Sequence, residues 1–328
     1  MSFNPRQLTG AFFVLLAFGA LTPMMFGSAT FPQWLEVMLG GLMSGVLYSL
    51  VAIGLVLIFK ASGVFNFAQG AMVLFAALSL VRLMERMPFI VALVLTIAIM
   101  VAVAWLIERL VLRRLVNQDP IVLFMATLGI AYFLDGFGQT VWGSDIHTLN
   151  VGMPKEPMIL LDGTFEGGIL VSMEDVYAAL IAASLVAGLA LFFQKTGTGR
   201  ALRAVADDHQ AAQSIGIPLN RIWVIVWSVA GLVALVAGII WGSKLGVQFS
   251  LQLVALKALP VVILGGFTSI PGAIIGGLII GLGEKVSEVY LGPMLGGGIE
   301  NWFAYVLALV FLLFRPEGLF GERHIDRV

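Results

Sequence analysis

Apolar residues along this chain collect in blocks of about 20, separated by short polar runs. That is the length a helix needs to cross a hydrocarbon core of about 30 Å. Ten segments of this kind are predicted: Leu8–Gly27, Leu35–Phe59, Val64–Met84, Phe89–Ile107, Pro120–Trp142, Glu174–Phe193, Ile222–Gly242, Leu253–Phe267, Gly272–Leu291 and Asn301–Phe314. The pattern predicts an all-α polytopic membrane protein of eight to ten transmembrane or re-entrant helices, forming a single transmembrane domain over 1–328. Segment 8–27 is expected to be an extra N-terminal helix. Arg6 ahead of an apolar core would also suit a signal peptide, but another span begins within ten residues of Gly27-Ser28-Ala29, which favours retention.

Two polar stretches interrupt the blocks. The longer, 143–173, is rich in acids: from Asp145 to Asp175 the chain carries six acidic residues and one Lys. Asp162-Gly163, between Met158–Leu161 and Thr164–Phe165, predicts a short hairpin with a tight turn. Ser172 with Asp175 has the spacing of a capping box for the next span. Such a segment could meet a soluble substrate-delivering protein, or could simply cover the helix ends.

The second stretch, 194–221, contains GTGRALRAVADDHQAAQSIGIP from Gly197 to Pro218. Arg200, Arg203, Asp207 and Asp208 precede Ala211 and Ala212, and Gly216 closes the run. Asp207 and Gln210 are spaced as a capping box, and Gly216 stands where the left-handed residue after a helix belongs. A small Ala-rich helix with no bulky side chains on one face lets a partner's groove close around it. The same residues would also make an ordinary solvated loop.

Composition narrows the class. Hydrophobic residues fill 60% of the 328 positions and charged residues only 11%, where a soluble globule carries about 25% charge. A net charge of −1 gives no basic footprint for nucleic acid. With no cysteine there is no disulfide framework, thiolate metal site or thiol nucleophile. His147, His209 and His324 fall in three separate polar segments, which argues against a shared metal site.

Charge also orients the chain. Of the 18 Lys and Arg, a cytoplasmic N-terminus leaves 12 inside and five outside (Arg82, Arg86, Lys155, Lys244 and Lys257), with Lys285 within a span. Positive charge concentrates on cytoplasmic loops, so both termini and 194–221 are expected in the cytoplasm and 143–173 outside.

Candidate transport chemistry sits where polar or flexible residues break apolar helix. In Lys60-Ala-Ser-Gly-Val-Phe-Asn-Phe-Ala-Gln-Gly70, Gly63 and Gly70 bracket Asn66 and Gln69, which lipid would not tolerate unpaired. In Leu259–Gly272, Pro260 removes a backbone donor and Gly265-Gly266 loosens the backbone five residues later. Broken helices expose backbone groups to a substrate path, although both stretches would serve equally as tight interhelical turns. Asp135, with Gln139 one turn later, is the clearest intramembrane charge. It could bind substrate or make a structural interhelical bond. Lys285 and Glu288 have the spacing to pair with each other. Small-xxx-small pairs at Gly41/Gly45, Gly238/Gly242, Gly272/Gly276 and Gly277/Gly281 predict close helix packing. No GxxxxGK[ST] phosphate loop, HExxH or Ser/His/Asp grouping is present, so neither ATP hydrolysis nor any other enzyme activity is expected of this chain.

Five stretches taken in order resemble the LivH-type permeases of branched-chain amino acid ABC importers. They are Gly63-Val-Phe-Asn-Phe-Ala-Gln-Gly70, Ala126-Thr-Leu-Gly-Ile130, Arg200–Ile217, Gly265-Gly-Phe-Thr-Ser-Ile-Pro-Gly-Ala273 and Phe314-Arg-Pro-Glu-Gly-Leu-Phe320. The similarity runs from about Trp34 to Phe320. It departs at Gln69, where members often carry His, and at the extra N-terminal span. The resemblance implies a bacterial inner-membrane subunit forming half of a translocation pathway, with a second related permease as the other half. It further implies two cytoplasmic ATPases that spend the ATP, no cofactor in this chain, and a periplasmic substrate-binding protein. Arg200, Arg203, Asp207, Asp208, Ala211, Ala212 and Gly216 would form the ATPase-coupling loop. Asn66, Gln69, Gly70, Asp135, Pro260, Gly265 and Gly266 are the path candidates. The same architecture serves importers of urea, short amides or aromatic acids. An ion-coupled secondary transporter, needing no ATPase, is the reading from another class.

Overall fold

A computed structural model describes residues 30–63, 65–115, 118–165, 168–207 and 209–321. The predicted 8–27 helix and Asp208 lie outside the described residues. Among the described residues eleven helices succeed one another in chain order: α1 (Phe31–Ser62), α2 (Gln69–Met84), α3 (Phe89–Leu110), α4 (Pro120–Trp142), α5 (Met173–Lys195), α6 (Gly197–Asp207), α7 (His209–Ser214), α8 (Leu219–Leu245), α9 (Val254–Gly265), α10 (Ile270–Leu295) and α11 (Phe303–Phe314). Six are long and apolar enough to cross a membrane: α1, α3, α4, α5, α8 and α10. The protein is a multi-pass, all-α membrane protein whose sheet content among the described residues is one two-stranded hairpin.

That hairpin differs from the expected one. Strand β1 (Pro157–Leu160) falls where predicted, but its antiparallel partner β2 is Ile169–Ser172, with Leu160 opposite Ile169. The connection is therefore long. Asp162-Gly163 lies within it, and Leu161 just before them has a positive φ of 57°. β2 wins because its alternate residues Ile169 and Val171 are buried, a period-2 pattern that Thr164-Phe165 is too short to offer. The expected cap is present: Ser172 Oγ accepts the Asp175 amide at 3.3 Å.

The described residues form two compact units. One comprises Leu50–Gly152 and Ser184–Leu256; the other comprises the described parts of Met1–Ser49, Met153–Ala183 and Lys257–Val328. The first unit is built around α2, which is buried at every position from Gln69 to Val81. A helix apolar on all sides belongs in a core, and α2 packs against α3, α4, α8 and the 3-10 turn Phe249–Leu253. At 16 residues it rises about 24 Å, short of the ~30 Å needed to cross. A helix this short leaves part of the crossing to irregular backbone at one of its ends. Such backbone is tolerated only where protein covers it or a cavity meets it.

In the second unit the expected small-residue packing is reciprocal. A Cβ on Gly45 would lie 2.7 Å from the Gly277 carbonyl oxygen, and one on Gly277 would lie 2.7 Å from that of Gly45. Two small-xxx-small motifs, one on α1 and one on α10, thus dock into one another. Lys257 Nζ lies 3.2 Å from Glu284 Oε1, and the Tyr48 side chain also bonds Glu284. The anticipated Lys285–Glu288 pair does not form. Glu288 instead accepts the backbone amides of Gly298 and Glu300 at 3.0 and 2.9 Å, because the chain after α10 folds back beneath it.

Candidate functional site

The polar break before α2 is held from two sides. Asn66 and Gln69 are fully buried. Asn66 Oδ1 accepts the Ala68 amide at 3.0 Å, Asn66 Nδ2 donates to Gln69 Oε1 at 3.3 Å, and Gln69 Nε2 donates to the Ala230 carbonyl of α8 at 3.3 Å. From α4, Thr127 Oγ1 takes the Phe67 amide at 3.5 Å and reaches the Phe65 carbonyl at 3.3 Å. Phe67 packs edge-on against Phe65 and Phe124, at 4.7 and 4.9 Å between ring centres. Two of the sequence's singled-out stretches, 63–70 and 126–130, are thereby parts of one local structure.

Beside this break lies a cavity of about 230 Å³, contained within the first unit. Asn66, Gly70, Asp135 and Gln252 supply its polar border, with Leu55, Leu128 and Tyr132 among its apolar walls. A lone water needs only about 10–15 Å³, so the space admits a small organic molecule. Its floor depends on Gly70, where a Cβ would run into the Gln252 carbonyl oxygen. Asp135 Oδ1 is buried and accepts no hydrogen bond from any described residue, Gln139 included. Asp135 lies seven residues before the end of α4 at Trp142, or roughly 10 Å along the helix.

Three of the path candidates, Asn66, Gly70 and Asp135, meet at this cavity. Gln69 stands behind it, bonded to α8. Pro260, Gly265 and Gly266 belong to the other unit and line no part of it. Pro260 sits inside α9, and a Cβ on Gly265 would strike the Gly272 carbonyl oxygen. Gly266 takes φ +103°. The last carbonyls of α9 are then capped by the chain's tail: Leu319 donates to Leu264 O at 2.8 Å and Phe320 to Gly265 O at 3.1 Å. These contacts give Gly265 and Gly266 a packing task and join two further stretches, 265–273 and 314–320. Gln252 was missed in the sequence. Its only mark there is polarity within the apolar run from Leu251 to Ala255.

The 194–221 segment is two helices, not one. At the junction of α5 and α6, Thr196 Oγ1 donates to Phe192 O at 2.6 Å, while the same oxygen takes the Gly199 amide at 3.2 Å as the cap of α6. Arg203 donates to the Phe193 carbonyl at 2.7 Å, closing the end of α5. Gly199, Leu202 and Val205 bury one face of α6, and Arg200, Arg203 and Asp207 lie exposed. Asp207 ends α6, and the Gln210 side chain of the expected capping box lies outside the described residues. Gly216 behaves as anticipated: its φ is +87°, and the Ile217 amide returns to Ala212 O at 3.0 Å, the closing bond of a Schellman turn. The expectation of a flat Ala211/Ala212 face needs correction. Ala211 is exposed, but Ala212 is only 2% exposed and packs inside the chain, whereas Ile215 stands 74% exposed.

A profile of the family described as "Branched-chain amino acid transport system / permease component" matches residues 37–315. The chain belongs to that family. It is a permease component of a transport system, not an enzyme. The permease is 29% identical over 319 residues to the high-affinity branched-chain amino acid transport system permease protein LivH of Escherichia coli K12, covering 92% of this chain and 100% of that one. To the probable branched-chain amino acid transport permease protein LivH of Methanocaldococcus jannaschii it is 31% identical over 296 residues, covering 86% and 91%. A solved structure, PsaBC from Streptococcus pneumoniae in complex with Fab, aligns with 84% of this chain and 90% of that one at 13% identity. Its TM-score of 0.42 is too low to add to the assignment.

Proposed function

We propose that the permease is the membrane subunit of an ATP-driven ABC importer for branched-chain amino acids and lines half of its pathway. The observation that carries this reading is the amphipathic pair α6–α7. It is a compact polar element between two spans, capped at both ends, and it presents Arg200, Asp207, Ala211 and Ile215 outward. An element built that firmly, in a chain without a phosphate loop, suits docking to cytoplasmic ATPases that hydrolyse ATP on its behalf. The substrate class follows the names of relatives matched along nearly their whole length.

In this scheme a second related permease completes the pathway, two ATPases close beneath it, and a periplasmic binding protein delivers substrate. The permease sits in the bacterial inner membrane with both termini and 194–221 in the cytoplasm, as the Lys and Arg distribution favours. The cavity at Asn66 and Asp135 is part of the substrate path. Uptake of radiolabelled leucine by cells carrying the full system tests the scheme. Uptake should vanish when the phosphate-loop lysine of the partner ATPases is replaced. Uptake that persists there and follows an ion gradient would establish a secondary transporter instead.

A further inference from the structure

The cavity beside Asp135 carries a charge arrangement that a mere passage does not require. Asp135 Oδ1 is shut from solvent and unpartnered among the described residues. Among the described residues no Lys, Arg or His borders the cavity. Asp135 is half-buried as a residue, but a carboxylate oxygen enclosed in an apolar span without a partner is unfavourable, so this oxygen is complementary to a positive group from outside the described residues.

The same cavity touches Gly70 and Ala71 in the first turn of α2. Asn66 already takes the Ala68 amide through Oδ1 and the Gln69 amide through its carbonyl, so the first-turn amides left for a ligand are those of Gly70 and Ala71. First-turn amides have no acceptor within their own helix, and the helix end carries partial positive charge. Broken transporter helices present such ends to anionic substrate groups. The remaining wall, Leu55, Leu128 and Tyr132 included, is apolar or aromatic.

One cavity therefore holds an unpartnered carboxylate oxygen, a helix end with the Gly70 and Ala71 amides left open, and an apolar wall. A metal cation would leave the helix end unmatched, and a carboxylic acid without an amine would be repelled by Asp135. A neutral solute would leave the carboxylate unpaired. A free α-amino acid with an apolar side chain satisfies all three. We infer that this cavity is a substrate subsite in which Asp135 receives the α-ammonium group and the first turn of α2 receives the α-carboxylate. The inference rests on the amino-acid importer reading above and names the residue that distinguishes an amino acid from its deaminated analogue.

The test is equilibrium binding to membranes carrying the assembled transporter without its binding protein. Tritiated L-leucine and tritiated isopentylamine serve as separate tracers, and 4-methylpentanoate as competitor. Wild type should bind both tracers and discriminate at least tenfold against 4-methylpentanoate. Asp135→Asn is nearly isosteric, and its assembly is checked by co-purification of the partner subunits. It should weaken both tracers at least tenfold and erase that discrimination, while Asp135→Glu should restore the preference for the amine. A purely structural Asp135 would weaken all three ligands alike and leave their ratio unchanged, which overturns the inference. Unchanged leucine binding in Asp135→Asn, or no binding of either tracer to wild type, overturns it as well. Isopentylamine binding lost in Asp135→Asn, with no leucine binding by wild type, would support the ammonium site while sinking the branched-chain amino acid reading.

Discussion

Lys257 and Glu284 form an ion pair across 27 residues of sequence, Nζ to Oε1 at 3.2 Å, with the Glu284 side chain only 7% exposed. Removing one partner of a buried pair leaves an uncompensated charge and costs about 3–5 kcal/mol, whereas neutralising both can cost little. Lys257 is about one-third exposed, so Lys257→Met should fall near the lower end, ~3 kcal/mol, seen as a lowered Tm in detergent. Lys257→Met with Glu284→Gln should recover most of the loss, because Gln keeps a partner for Tyr48. A single variant as stable as wild type would mean that the pair contributes nothing.

The spans were legible because lipid demands long apolar runs, and α4 begins and ends at the residues that pattern predicts. Ser172 and Gly216 were legible because caps are local: their partners lie within five residues. What escaped was set by distance in sequence. Nothing in the apolar run around Lys257 names Glu284 as its partner, and Lys285 offered a nearer but false solution with Glu288. Likewise Ala212 differs from Ala211 only in which side of a short helix meets the rest of the chain. The cavity was half legible: Asn66, Gly70 and Asp135 drew attention as polar or flexible residues in apolar surroundings. Gln252 joins them only through the close approach of Gly70 to its backbone.

The proposed orientation has a direct test, since the chain has no cysteine of its own. Thr164 and Gln213 are both exposed. In intact cells a membrane-impermeant thiol reagent should label Thr164→Cys and spare Gln213→Cys. The reverse pattern would turn the permease over and remove 194–221 from the reach of cytoplasmic ATPases.

The claim that α6–α7 couples partner ATPases to transport is tested most directly by co-purification. Ala212 is the wrong probe, because a bulky side chain there overpacks the chain's own interior at a cost of about 1–3 kcal/mol. Ala211 is exposed, and Ala211→Trp changes only the outward face. The account predicts that Ala211→Trp inserts in the membrane at wild-type levels, loses the ATPase subunits on purification and loses leucine uptake in cells. Full recovery of the ATPases together with normal uptake by Ala211→Trp would contradict it.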